Sequence, residues 1–401
     1  MAVTPKVESP ARSGPAADLT VAGLFAGIGG LELGLHAAGA TTSMLCESWS
    51  PAQAVLQARF PDVEIHPDVR TLPRLPDVDI VTAGFPCTDL SQAGRTAGIH
   101  GEQSGLVSHL FRLLARSKPR WVVIENVRNM LVLDGGRAMS YLVHEFESLG
   151  YDWAYRLVDS RFTGTPQRRQ RVLFVASIEE DPRRVLFADD VGEPDESAFR
   201  EDAYGFFWTE GLRGLGWAKD ALPTLKGGSA IGIPSPPAIW VKDAQAGRGI
   251  VTPDIEDAEK LQGFPAGWTS PAGGGRRGAG VRWKLIGNAV TVGVSSWLGR
   301  RLAEPGNVDQ SGGEPIESGA VRWPTAAWGV DNEWRRVPLS MWPEFNEYRH
   351  LLDVVDRRRA VPLSLRATEG FFGRLQRSTL RVDEDFRLAL KQHIQAMQPA
   401  A

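Results

Sequence analysis

Between Leu19 and Ser177 short apolar runs alternate with amphipathic stretches. Val21–Phe25, Ser43–Cys46, Asp79–Ala83, Trp121–Ile124 and Val172–Ala176 read as buried strands. Helical periodicity falls near 30–38, 50–58, 104–116 and 137–149. This alternation predicts an α/β domain: a mainly parallel, Rossmann-like sheet covered on both faces, with ligands at the carboxyl ends of its strands. After Ser177 the texture changes. Residues 178–253 are rich in Gly, Pro and Trp with few periodic runs, which predicts a small irregular second module. Helical periodicity returns over Pro253–Leu261 and Asn288–Leu302. Residues 304–318, EPGNVDQSGGEPIES, read as a linker. The C-terminal accessory segment 319–401 carries Trp323, Trp328, Trp334 and Trp342, then two helix-like stretches, 365–377 and 383–397. Its tryptophans read either as a small core or as a nucleic-acid stacking face.

Composition narrows the class. The 401 residues are 42% hydrophobic and 23% charged, ordinary for a soluble globular protein. No run of about 18 apolar residues exists, so no membrane span is expected. Residues 1–18, rich in Ala, Pro and Ser, read as a disordered tail and not as a signal peptide. Two cysteines, Cys46 and Cys87, cannot build a disulfide framework or a four-ligand zinc site. The expectation is a cytoplasmic protein without a metal. A net charge of −3 speaks weakly against a polyanion partner. Two acid-free basic runs qualify it: one holds Arg161, Arg168, Arg169 and Arg171, the other Arg276, Arg277, Arg282 and Lys284.

Four sites carry candidate chemistry. Leu24-Phe25-Ala26-Gly27-Ile28-Gly29-Gly30 follows a strand and opens a helix, so backbone can approach a ligand closely. Glu47 ends the next strand, where a carboxylate can take ribose hydroxyls. By itself this suits nicotinamide dinucleotides, flavins and S-adenosylmethionine alike. Gly84-Phe85-Pro86-Cys87 puts a thiol at the same carboxyl edge, whereas Cys46, inside an apolar strand, reads as packing. Glu125-Asn126-Val127 ends another strand. In Gln167-Arg168-Arg169-Gln170-Arg171, Arg169 and Arg171 share one side of an extended backbone.

In this order these blocks resemble the DNA (cytosine-5) methyltransferase family. Thr252–Pro265, TPDIEDAEKLQGFP, looks like its ninth motif and Gly287-Asn288-Ala289-Val290 like its tenth; the resemblance covers residues 19–303. It implies a Rossmann-like S-adenosylmethionine-dependent catalytic domain over 19–177 and 252–303, with a target-recognition domain at 178–251. It implies that Cys87 is the nucleophile, adding to carbon 6 of a flipped-out cytosine so that carbon 5 can take a methyl group. Glu125 would hold the base at N3 and N4, Arg171 its O2, and Arg169 would help position base and Cys loop. For S-adenosylmethionine it implies Phe25, Ala26, Gly27, Gly29, Gly30, Glu47, Asp68, Val69, Pro86, Asn288 and Val290. For DNA it implies Thr88, Thr224 in Pro223-Thr224-Leu225, and Ser91 and Arg95 in the glycine-rich loop Ser91–Gly105. Two positions depart from the pattern: Thr88 stands where the family usually has Gln, and Trp49 lies two residues after Glu47 where an aromatic often follows the acid directly. The expected partner is double-stranded DNA, the expected state a monomer. A cognate restriction or phage-defence system is the candidate biological partner. The rivals are a nicotinamide oxidoreductase, which leaves Cys87, Glu125 and Arg171 unexplained, and a catalytically dead DNA-binding relative.

Overall fold

The computed structural model describes residues 19–86, 105–208, 214–225, 237–245, 247–273, 275–308, 312–316, 322–331 and 333–398. Its strands in chain order begin with β1 (Thr20–Leu24), β2 (Thr41–Cys46), β3 (Glu64–His66), β4 (Ile80–Ala83), β5 (Trp121–Val127) and β6 (Asp152–Asp159). There follow β7 (Gln167–Arg168), β8 (Gln170–Ser177), β9 (Ala203–Trp208), β10 (Leu215–Lys219), β11 (Leu222–Pro223), β12 (Ala238–Val241) and β13 (Ile250–Thr252). The last are β14 (Glu314–Pro315), β15 (Ala326–Val330), β16 (Glu333–Arg336) and β17 (Val361–Pro362).

Ten strands form one sheet in the order β14-β16-β15-β6-β8-β5-β4-β1-β2-β3. The five from β5 to β3 are parallel. Both faces of their apolar runs are buried, as a parallel sheet requires. Helices Leu106–Ser117 and Arg137–Ser148 pack on one face, through Leu110, Leu114, Leu142 and Phe146 against Val81, Val122 and Ile124. Helices Gly30–Ala37 and Val292–Ala303 cover the other, where Leu35 and Leu298 meet Val21, Ile80 and Val123. Beyond β5 the sheet turns antiparallel: β8 runs against both β5 and β6. The apolar pattern does not announce β6, because Arg156 and Asp159 interrupt it. Arg156 is nonetheless fully buried, donating to the carbonyls of Leu186, Asp189 and Ser340 and pairing with Asp190. A buried charge is tolerated only with partners of this kind.

Residues 178–253, where the pattern predicts irregular structure, hold most of a five-stranded sheet ordered β10-β9-β12-β13-β17. Its strands are too short, and too much interrupted by glycine, for period-two alternation to stand out. The segment 304–318 contributes β14, which pairs with β16. The C-terminal stretch divides between the two sheets: β15 pairs with β6, and β17 with β13. Its two expected helices form as Leu365–Gln376 and Glu384–Met397, the first capped by Ser364 accepting from the Ala367 amide. Trp323, Trp328 and Trp342 are buried, and Trp334 is partly so. No described helix is long and apolar enough to cross a membrane.

Candidate active site

Two pockets lie along the carboxyl edge of the parallel strands. The larger is a cleft of about 770 Å³ whose lining includes Gly84–Pro86, Glu125–Asn129, Arg168–Arg171, Thr224, Gly287 and Asn288. The strands that build its floor explain its chemistry. β5 and β8 are antiparallel neighbours with Val127 opposite Arg171, so the side chains of Glu125 and Arg171 meet across the ladder. Arg171 Nε stands 2.8 Å from Glu125 Oε1, and both residues are largely buried. Burial pushes the Arg171 guanidinium below its usual value, while Glu125 acts to keep it charged.

Gly84-Phe85-Pro86 enters this cleft straight from β4. Asn126 Nδ2 donates to the Phe85 carbonyl at 3.1 Å, so the residue after Glu125 holds the stretch that leads to Cys87. Cys87 itself, with Thr88, Ser91 and Arg95, lies outside the described residues. Thr224 lines the cleft and its hydroxyl donates to the Arg168 carbonyl at 3.2 Å.

Arg169 is buried, and its guanidinium donates to Gly287 O at 3.2 Å and Ala289 O at 2.7 Å. It therefore ties the turn after the helix Gly275–Asn288 to the cleft floor. Gln262 supports the same turn through Ile286 O and Ala289 O, and Gln167 Nε2 donates to Gln262 Oε1. Sequence reasoning missed Gln262 and the positioning role of Asn126. Both sit inside the motif blocks, but a buried amide leaves no signal in an apolar pattern.

The second pocket, about 310 Å³, is lined by Phe25, Cys46, Glu47, Ser48, Asp68, Val69, Arg70 and Leu106. Phe25 has φ of 55°, a rare conformation for a bulky residue. The chain thus turns sharply out of β1, and the Phe25 ring meets Phe85 edge-on at 6.0 Å, linking the two pockets. Glu47 accepts from the Gly27 amide at 2.8 Å and the Trp49 amide at 2.7 Å, and burial raises its pKa above the ordinary carboxylate range. Asp68 is held below its ordinary value by Arg70, whose guanidinium grips both carboxylate oxygens. The Ala26 amide donates to Cys46 O. Cys46 is buried, and burial followed by Glu47 pushes its thiol up to about 12, so it stays protonated at neutral pH. A Cβ at Gly30 would stand 3.0 Å from Val290 O: the glycine loop and the turn Asn288–Val290 close on each other, with Val290 buried and Asn288 exposed. Gly29, at φ 79°, lies where a Cβ would strike the Phe60 ring.

A family model described as C-5 cytosine-specific DNA methylase matches residues 19–200. Over 373 residues the chain is 46% identical to "Type II methyltransferase M2.BsuMI" of Bacillus subtilis (strain 168), a match that covers 90% of this chain and 94% of that protein. The chain belongs to the C-5 cytosine-specific DNA methylases. Its similarity to "Type II methyltransferase M.SsoII" of Shigella sonnei is 34% over 165 residues, 40% of this chain and 43% of that one. The crystal structure of S. pombe Dnmt2 methyltransferase superposes with a TM-score of 0.51 at 16% identity, covering 71% of this chain and 98% of that one, a likeness of fold.

A match over 90% of this methylase must run into residues 319–401, whereas the family model ends at 200. In that segment Arg358 pairs with Asp356, and Arg359 with Asp254 and Glu256. In the second basic run Arg282 pairs with Glu259, and Lys284 lies over the Trp49 ring. The side chains of Arg276 and Arg277 lie outside the described residues. Among the described residues no cluster of three or more His, Cys, Asp or Glu could hold a metal ion.

Proposed function

We propose that this methylase transfers a methyl group to carbon 5 of cytosine within a specific sequence of double-stranded DNA. The observation that carries the reading is the Glu125–Arg171 pair on the floor of the cleft that Gly84–Pro86 enters. Carbon 5 of cytosine is a poor nucleophile. Addition of the Cys87 thiolate to carbon 6 makes an enamine whose carbon 5 attacks an electrophilic methyl; loss of the carbon 5 proton then expels the thiolate. Glu125 holds N3 and N4 of the base and offsets the charge that develops on the ring. Arg171 holds the cytosine O2 and keeps Glu125 oriented. Arg169 acts on the turn Gly287–Ala289. The target carbon lies inside the stack, so the base is flipped into the cleft, with Thr88, Ser91, Arg95 and Thr224 on the DNA.

The residues of the smaller pocket fit S-adenosylmethionine. A buried carboxylate at a strand end and a second one kept charged by Arg70 suit ribose hydroxyls and an adenine amino group. Phe25, Ala26, Gly27, Gly29, Gly30, Glu47, Asp68 and Val69 would hold the nucleoside end, and Pro86, Asn288 and Val290 the methionine end. When bound, this group supplies the sulfonium methyl. Residues 178–251 are proposed to carry target recognition, the catalytic domain being 19–177 with 252–303. The chain is proposed to act as a monomer beside a restriction nuclease, since the relative from Bacillus subtilis is named a Type II methyltransferase.

The test is a covalent complex with duplex DNA carrying 5-fluorocytosine, from which the ring fluorine cannot leave as a proton does. The wild type and Cys46→Ala should trap DNA; Cys87→Ala should not, while still binding DNA and cofactor. Trapping by Cys87→Ala would remove Cys87 from the mechanism.

A further inference from the structure

The five-stranded sheet has two dissimilar faces, because side chains alternate along each strand. Ala203, Ile239, Val241 and Val251 face the body of the protein and pack with Leu222, Leu261 and Leu285. Tyr204, Phe206, Trp240 and Ile250 point the other way and pack with Leu363, Phe371, Phe386 and Leu390 of the C-terminal segment. That second face is large and aromatic, and only residues 361–397 cover it among the described residues. Exposed apolar patches of this kind are rare in soluble proteins.

Phe386, on the helix Glu384–Met397, is the centre of the contact. It is fully buried, with its ring 4.5 Å from Trp217, 5.1 Å from Phe206, 5.2 Å from Trp240 and 5.9 Å from Phe371. Two of those partners lie on the β9–β10 hairpin, and this hairpin also reaches the catalytic cleft. Phe207, Gly216 and Trp217 are part of the cleft lining. A Cβ added to Gly216 would stand 2.1 Å from the Phe207 ring, so that ring lies flat across the neighbouring strand and depends on the glycine beneath it. One hairpin therefore touches the C-terminal helix on one side and the cleft on the other.

We infer that residues 361–397 are an integral half of the target-recognition module, and that Phe386 is a positioning residue that sets where the β9–β10 hairpin meets duplex DNA over the cleft. The inference rests on the reading that the cleft receives a flipped cytosine. The segment acts from behind the sheet. A surface that reads base edges must be held to a fraction of an ångström by packing beneath it. Removing a ring that touches Trp217 and Phe206 frees the hairpin while leaving Glu125, Arg171 and the nucleoside pocket on the other sheet.

The experiment uses the full chain with Phe386→Ala and Phe386→Leu, on a duplex carrying the target and on duplexes with one base changed. The expected result is a KM for DNA raised about tenfold at nearly unchanged kcat, the pattern of lost binding and not lost chemistry. Discrimination against the changed duplexes falls, S-adenosylmethionine binding by calorimetry is unaltered, and Phe386→Leu recovers part of the loss. Gly216→Ala, acting on the hairpin from the cleft side, should give the same signature, and the pair should be non-additive because both act on one element. If Phe386→Ala does not accumulate as folded protein, Phe386→Leu carries the measurement. Unchanged KM and discrimination in a folded variant would overturn the inference. So would a parallel loss of cofactor binding, which marks general damage. Altered discrimination on reversing the charge of exposed Arg366 or Arg377 would also overturn it, because the segment would then read DNA itself. A wild-type protein that methylates no cytosine duplex would instead sink the reading beneath it.

Discussion

Arg169 and Arg171 show how neighbours divide labour between like residues. Extended backbone puts both on one side of the chain, but the cleft gives Arg171 a carboxylate and Arg169 backbone carbonyls, those of Gly287 and Ala289 among them. Only contacts distant in sequence separate a group paired with a carboxylate in the cleft from one that holds a turn. Glu32 is a third buried ionisable group with a different balance. It is almost completely buried, its Oε1 accepts from the Thr82 hydroxyl at 2.7 Å, and its Oε2 has no hydrogen-bond partner. Burial raises its pKa above the ordinary value of 4.5. The folded state therefore holds its proton more tightly than the unfolded state. Stability falls as pH rises from that ordinary value through the raised one, and the cost is constant above it. Glu32→Gln keeps the shape and removes the titration. Its urea midpoint relative to wild type should climb over this window and then level off. A difference independent of pH would show that Glu32 has the same pKa in the folded and unfolded protein, so that its burial leaves the titration unperturbed.

At the scale of elements, most of the central sheet was legible. β1, β2, β4, β5 and β8 are apolar runs bounded by turns, and four helices among the described residues between β1 and β6 lie within about two residues of where periodicity puts them. What pattern alone did not reveal is how helices approach each other. Gly34 faces the helix Val292–Ala303, where an added Cβ would sit 2.0 Å from Ser295 Oγ and 2.6 Å from the Ser296 amide. Ser295 Oγ also donates to Gly30 O, so this contact fixes the glycine loop to the helix that follows Val290. Gly34→Ala improves helix propensity yet overpacks the interface against backbone, and should destabilise by about 1–3 kcal/mol. Denaturant unfolding of the variant decides it, and a gain in stability would mean that the helices separate freely.

At the scale of the whole molecule, the C-terminal segment is part of both sheets. Trp323 is buried against Trp153, Tyr155 and Trp334, and its indole donates to Gly136 O at 3.1 Å. This favours the core reading of the tryptophans over the stacking-face reading. Trp323→Ala should cost about 3–5 kcal/mol, as other large core truncations do. The loss should appear in a single cooperative transition, because β15 continues the ten-stranded sheet through β6. A separate early transition, or a loss below about 1 kcal/mol, would show that the segment folds as an independent appendage.

The sequence by itself determined the class of fold, and the strands and strand-end residues that line the two pockets. Those features are local: an apolar run specifies a strand, and the residue that follows it inherits the cleft. The comparisons bear out the family to which these motifs pointed. Tertiary structure decided the rest. It placed β15 and β16 beside β6, completed the smaller sheet with β17, sent Arg169 to the turn after Asn288, and set Phe386 behind the hairpin at the cleft. Each of these joins residues far apart in the chain, through short strands or single buried side chains. Neither leaves a periodic trace, because what selects them is the surface that another segment leaves uncovered.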